Sequence, residues 1–206
     1  MFVLQILYSS HGILILLLAL TAVIGDYLVE HLRLHLHKAL FDNITHALIG
    51  GISWLIVCMT FRNRYTLQTL IEIALCTVIA SGIDLDHFYA ARSFSLKDAT
   101  SLKNRPALHC SSVPLIVVFI LFLISYTLRE RWLLRVALII FTAFSSHHTR
   151  DATRRGYWFY PFGSTPSIPY VVYILLTILI PYLVCLIINF TDKQKNIISQ
   201  SIVNII

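Results

Sequence analysis

The chain has 206 residues, of which 57% are hydrophobic and 13% charged, and its mean hydropathy is +0.77. Soluble domains carry about 25% charged residues, so this composition excludes a soluble globular enzyme or binding module and leaves an all-α polytopic membrane protein. The formal charge of +6 is scattered over short loops rather than gathered on one face, which argues against a nucleic-acid partner and for anchors at the lipid bilayer surface.

A spanning helix needs about 20 mostly apolar residues. The sequence offers six such runs, at about 11–29, 42–60, 67–87, 108–128, 132–151 and 170–190, with a short polar tail over 191–206. Residues 1–206 thus read as a single transmembrane domain. The start, Met1-Phe-Val-Leu-Gln5, lacks the basic region and cleavage site of a secretory signal and reads as leading into a retained span. The first run ends in Asp26 and Glu30. From Glu30 to Leu40, His31, Arg33, His35, His37 and Lys38 alternate with leucines, a pattern expected of an interfacial connector. Asp42 is placed to cap the second run, whose early turns carry His46, Gly50 and Gly51, the glycines permitting close approach of a neighbouring helix.

Arg62-Asn-Arg64 reads as a polar hinge, and the third run ends in Ile83-Asp84-Leu85-Asp86-His87. The following loop contains Arg92, Lys97, Lys103 and Arg105, and Pro106 reads as a helix start before His109 and the fourth run. The turn Arg129-Glu-Arg131 leads into the fifth run, which closes in Ser145-Ser-His147-His148-Thr-Arg150-Asp151. Tyr157-Trp-Phe-Tyr160 in the next loop suits a headgroup-level aromatic belt. Cys58, Cys76, Cys110 and Cys185 form no CxxC pair, so neither a disulfide framework nor a zinc ribbon is expected. The sequons at Asn43 and Asn189 lie too close to spans to be glycosylated.

Six alternating spans bring the unusual polar residues to one membrane surface: Asp26, Asp42, His46, Asp84 to His87, His109, and His147 to Asp151. Spacing sharpens this. Asp42 and His46 are four apart, Asp84 and His87 three, His147 and Asp151 four, so each pair shares a helix face. Three carboxylate–imidazole pairs with His109 from a fourth segment make a mixed N/O set suited to a divalent metal ion such as Zn, Mn or Fe, mononuclear or dinuclear. Asp86 is left to act as general base or to orient a ligating histidine. The bland readings are a helix cap for Asp42, a carbonyl hydrogen bond for His46, headgroup anchors for Arg150, Arg154 and Arg155, and packing roles for Cys110, Ser111, Ser145 and Ser146. Asp84 and Asp86, two residues apart, resist such an account, because two carboxylates there repel unless a cation, protonation or an ion pair with Arg92 or Arg105 relieves them.

At these residues the sequence resembles the bacterial inner-membrane family of YdjM-type, LexA-regulated metal-dependent hydrolases. Thr45-His46-Ala-Leu-Ile-Gly50, Ile83-Asp84-Leu-Asp86-His87, Asn104-Arg105-Pro106-Ala-Leu108-His109 and Ser146-His147-His148-Thr-Arg150-Asp151 follow its four motifs. The chain departs where the pattern has Pro, His and Thr, with Ile83, Asn104 and Leu108. Over its length it is still more similar to the eukaryotic multi-pass family called transmembrane protein 267, through Ile83–Leu102 and Ser145-Ser-His-His. The hydrolase resemblance implies His46, Asp84, Asp86, His87, His109, His147 and Asp151 together as the metal and acid–base set; within it we expect His46, Asp84, His87, His147 and Asp151 as metal ligands and Asp86 and His109 as the acid–base residues. Two functions are therefore expected in competition. One is a metal-dependent hydrolase of lipid-like or membrane-proximal esters or phosphoesters. The other is a non-catalytic accessory to a partner membrane protein that keeps the metal or an ion-pair network as a structural element.

Overall fold

The computed structural model describes residues 10–61 and 66–203, those beyond Lys193 as backbone only. The apolar start at Met1–Gln5 and the hinge Arg62–Arg64 lie outside the described residues. The described residues are predominantly helical: α1 Ser10–His31, α2 His35–Phe61, α3 Leu67–Gly82, α4 Leu85–Ala91, α5 Leu96–Thr100, a 3-10 turn Ala107–His109, α6 Ser112–Leu128, α7 Arg131–Arg155 and α8 Tyr170–Val203. A two-residue hairpin pairs Trp158–Phe159 with Gly163–Ser164.

Four segments, α1, α2, α3 with α4, and the first part of α8, are long and apolar enough to cross a membrane. Helix α6 is apolar but has 17 residues. Helix α7 has 25 residues but ends in a polar stretch, Ser145 to Arg155. Its position explains that composition. Together α2 and α7 form the hub of the bundle: α2 packs on α1, α3, α7 and α8, and α7 on α2, α3, α6 and α8. An inner helix meets protein on most sides and tolerates polar side chains that lipid would not. The outer helices expose Leu16, Ile24, Val78, Phe119 and Leu175, as a surface solvated by acyl chains requires.

Two expectations are corrected here. The connector over Glu30–Leu40 is short, because α2 begins at His35, a full two turns before Asp42. Asp42 is consequently an interior helix residue and not a cap. Likewise the third run is not one unbroken helix: α3 ends at Gly82, and Ile83 and Asp84 form a turn before α4, though the two together keep the length and apolarity of a single span, Leu67–Ala91. The start of α3 is set by a capping box, in which Thr66 and Thr69 exchange side chain to backbone hydrogen bonds.

Close helix approach is built on glycine. A Cβ on Gly50 would stand 2.6 Å from the Cβ of Ala80, and one on Gly51 would collide with Thr77, so α2 and α3 meet nearly backbone to backbone. Trp54, Val57, Cys58, Cys76, Ala80, Leu138, Ile139, Ala143, Val184 and Cys185 then form the core between α2, α3, α7 and α8. Toward the opposite end from the aspartate-rich turns, Glu72 receives hydrogen bonds from Gln68, Trp54 and Arg135, the last as an ion pair at 3.1 Å.

Candidate metal centre

The break between α3 and α4, the 3-10 turn before α6 and the last two turns of α7 come together at one end of the bundle. They bring Asp84, His109, His147 and Asp151 to a common point. His109 Nε2 and His147 Nε2 are 3.3 Å apart. Asp84 Oδ1 lies 3.5 Å from each of these nitrogens, and Asp151 Oδ2 lies 3.4 Å from each. Each carboxylate oxygen thus forms with the two nitrogens a nearly equilateral triangle. These edges are long for charge-assisted hydrogen bonds, which close to about 2.7–2.9 Å. They are the size of a face of a coordination tetrahedron, whose centre stands about 2.1 Å from each corner, the distance at which zinc holds imidazole nitrogen and carboxylate oxygen.

The remaining atom of every one of these side chains is engaged from behind. His147 Nδ1 donates to the carbonyl of Ala80 at 2.8 Å, which leaves the Nε2 lone pair pointing inward. His109 Nδ1 faces Asp86, 3.2 Å from Oδ1 and 3.4 Å from Oδ2, and Asp86 Oδ2 also accepts the Leu108 N–H at 2.7 Å. Asp84 Oδ2 accepts from Asn43 Nδ2 at 3.2 Å, and Asn43 is itself fixed by Ser81, whose carbonyl it donates to and whose hydroxyl it accepts. Behind Asp151, Oδ1 faces His46 Nε2 at 3.5 Å. Outer partners of this kind set the tautomer and orientation of metal ligands.

Each residue expected from sequence has a place in this arrangement. His46 is buried, stacks on the His147 ring at a centroid distance of 3.7 Å, and neither of its nitrogens makes a hydrogen bond among the described residues. His87 stands on the far side, its Nδ1 3.3 Å from Asp86 Oδ1. Ligand-capable atoms of His46, His147 and Asp151 fall within 4.8 Å of one another, and so do those of Asp84, His87 and His109, which places His46 beside one half of the inner four and His87 beside the other. His109 stands among the inner atoms and Asp86 behind it.

Burial disfavours a charge on the His109 ring, but its contacts with Asp84 and Asp86 and the charge of Asp151 outweigh this and raise its pKa to about 9. Asp42 does not join the cluster. It forms ion pairs with Arg150 and Arg154, each at 2.8 Å, and accepts a hydrogen bond from Arg154. Arg150, read from sequence as a headgroup anchor, is instead buried at 1% exposure and also binds Asp26 at 2.8 Å, while Tyr170 donates to the other Asp26 oxygen. Its carboxylate partners come from α1 and α2, which no spacing within α7 announces. The sequon at Asn43 is spent on Asp84 and Ser81.

His148, which the sequence placed in the fourth motif without a role of its own, turns away from the cluster. It accepts from Ser111 Oγ at 3.1 Å through Nδ1 and donates from Nε2 to the Leu108 carbonyl at 2.9 Å, clamping the turn on either side of His109. The doubled His147-His148 is the only local signal for it: one ring turns to the cluster and its neighbour to the turn that completes it.

The cluster borders a cavity of about 800 Å³, lined by Asp84, His87, His109, His148 and Asp151 and bounded by α2, α3, α4, α5 and the segment 102–111.

The fold and this cluster define a multi-pass helical membrane protein with a group of histidines and aspartates gathered at one end of its bundle. Relatives narrow the class. The chain is 40% identical over 160 residues to Transmembrane protein 267 of Xenopus laevis, covering 77% of this chain and 72% of the relative. The Danio rerio protein of that name is 38% identical over 175 residues, covering 84% and 75%, and that of Mus musculus 36% over 165 residues, covering 79% and 74%. The chain belongs to the Transmembrane protein 267 family. No family model and no solved structure matches it.

Proposed function

We propose that the protein is a metal-dependent hydrolase acting on lipid-like or membrane-proximal esters or phosphoesters, with Zn or Mn at the centre formed by Asp84, His109, His147 and Asp151. The observation that carries the reading is the set of 3.3–3.5 Å separations among their inward atoms. These are too long for the hydrogen bonds of a self-sufficient ion-pair network and suited to a shared cation. Two nitrogens and two carboxylate oxygens are the donor set of Zn or Mn rather than Ca, which takes six or more oxygens. When bound, such an ion polarises a carbonyl or phosphoryl oxygen and acidifies water. Asp86 and the Ala80 carbonyl hold the imidazoles in register, Asn43 holds Asp84, and His46 stands against Asp151 at 3.5 Å. His87 lines the cavity and stands as the imidazole available to move a proton at its floor. The resemblance to the bacterial hydrolase motifs agrees with a metal-dependent hydrolase, but the assignment within the site differs: His109 is taken here as a ligand, and His46 and His87 as flanking imidazoles. We further infer six spans, with α6 and α7 crossing beside the four apolar segments; α7, at about 1.5 Å per residue, is long enough.

Metal analysis of the purified protein tests the reading. Stoichiometric Zn or Mn in the wild type, lost in Asp84→Ala with His147→Ala, is expected. Wild-type protein without metal removes the enzyme.

A second reading has an observation of its own. A centre with four protein ligands is the pattern of structural zinc, which stabilises a fold without catalysis. The cavity beside the cluster favours the catalytic reading. Chelation separates the two: a structural ion, once stripped, lowers the unfolding temperature and no ester or phosphoester is turned over by the loaded protein, whereas a catalytic ion restores turnover when returned.

A further inference from the structure

The cavity carries charge that the metal-centre chemistry does not use. Lys38, Arg105, Arg154 and Arg155 line it, against Asp42, Asp84 and Asp151. Asp84 and Asp151 are turned toward His109 and His147, and Asp42 is shared by Arg150 and Arg154. Among the described residues no carboxylate forms an ion pair with the other cations, although Asp151 lies close enough to act on the charge of Arg105. Lys38 Nζ donates to the Glu30 carbonyl at 3.3 Å, and Arg105 donates from Nη1 to the Gly156 carbonyl at 2.9 Å and from Nη2 to the carbonyl of Arg155. The Arg155 guanidinium makes no hydrogen bond among the described residues. Carbonyls orient a guanidinium but do not neutralise it. Arg105 and Arg155 therefore present adjacent positive charge beside the cluster, felt by Asp151 but held in no ion pair among the described residues, with spare N–H donors. Arginine in that situation suits a phosphoryl group, whose oxygens accept paired N–H donors and cancel the charge.

Another part of the lining is of opposite character. Val29, Ala39, Val78, Leu85, Phe88 and Leu102 contribute apolar wall. Val78 and Leu85 are also exposed on the outer surface of the bundle, where lipid chains lie. A cavity of about 800 Å³ is large enough for a headgroup and part of a chain. A neutral carboxylic ester would leave the arginines unpaired, and a small soluble phosphate would leave the apolar wall empty.

We propose that this cavity binds an amphiphilic phosphoester, its phosphoryl group between Arg105, Arg155 and the His/Asp cluster and its chain along the α3–α4 wall; this rests on the hydrolase reading and specifies its substrate class. Zinc-loaded full-length protein in maltoside micelles is titrated calorimetrically with octyl phosphate, methyl phosphate and methyl octanoate. Octyl phosphate is expected to bind at least about tenfold more tightly than either comparator. Arg155→Gln is expected to weaken octyl phosphate about tenfold with zinc content unchanged. Arg105→Gln does the same if it folds, and Arg155→Gln, whose side chain holds no structural contact, keeps the test open if it does not. Methyl octanoate binding as tightly as octyl phosphate, or octyl phosphate binding unaltered by Arg155→Gln at full zinc content, overturns the phosphoryl assignment while leaving the hydrolase reading standing. Equal binding of methyl phosphate overturns the amphiphile in favour of a soluble phosphoester. Absence of zinc from the wild-type protein defeats the hydrolase reading itself, a result distinguishable from all of these.

Discussion

Asp86 reaches no position among the inner four, yet it orients His109 and accepts the Leu108 N–H that shapes its turn. Removing an outer partner of a metal-ligating histidine weakens metal binding by about 10- to 100-fold. Asp86→Ala is therefore expected to lower zinc affinity within that range while the four ligands remain, read by competition against a chromophoric chelator; unchanged affinity would mean that Asp86 plays no part in the centre. His109 adds a pH dependence. Its pKa of about 9 lies above the ordinary 6.5, so in metal-free protein the protonated ring contributes stability in full below about pH 6.5 and loses it as pH rises through about 9. A cation must displace that proton. Zinc affinity should accordingly rise with pH up to about 9, and calorimetry at pH 7 in buffers of different ionisation enthalpy should show proton release on binding. No release would place the proton elsewhere.

At the scale of elements, the contact of α2 with α3 is what holds the Ala80 carbonyl against His147. Gly50 makes that contact possible, since any side chain there meets Ala80. Overpacking of this kind costs about 1–3 kcal/mol. Gly50→Leu should both lower the unfolding temperature and reduce zinc content, because it moves the carbonyl that sets the His147 tautomer. Gly82 offers the contrast: a Cβ at that position meets nothing within 4 Å, and Gly82→Ala should leave zinc content intact. If the two variants retain equal zinc, helix spacing does not control the site. The turn between α3 and α4 makes the same point. An unbroken helix would set Asp84 and His87 on one face; ending α3 at Gly82 instead lets Asp84 reach the inner set and Asp86 the far side of His109.

For the whole molecule, Arg150 joins α7 to α1 and α2 through Asp26 and Asp42, with Tyr170 of α8 closing the network. Removing one partner of a buried ion pair costs about 3–5 kcal/mol, because it strands the other charges. Arg150→Ala should destabilise the bundle on that scale, measured by denaturant titration in micelles, and Asp26→Asn with Asp42→Asn in the same chain should recover part of the loss. A cost below about 1 kcal/mol would show the network to be solvated rather than buried. Much of this was legible in the residues themselves. Apolar runs of spanning length determine that the chain is a helical membrane protein, and alternation of those runs determines which polar residues share an end of it. Pairs three and four apart determine which carboxylate and imidazole share a helix face. None of this tells which neighbour that face meets. Asp42 beside His46 and Asp151 beside His147 are equivalent in spacing, yet packing of α2 against α7 turns Asp42 to Arg150 and Asp151 to the histidines. A helix specifies directions around its own axis, and only the angle and depth at which helices pack decide where those directions converge.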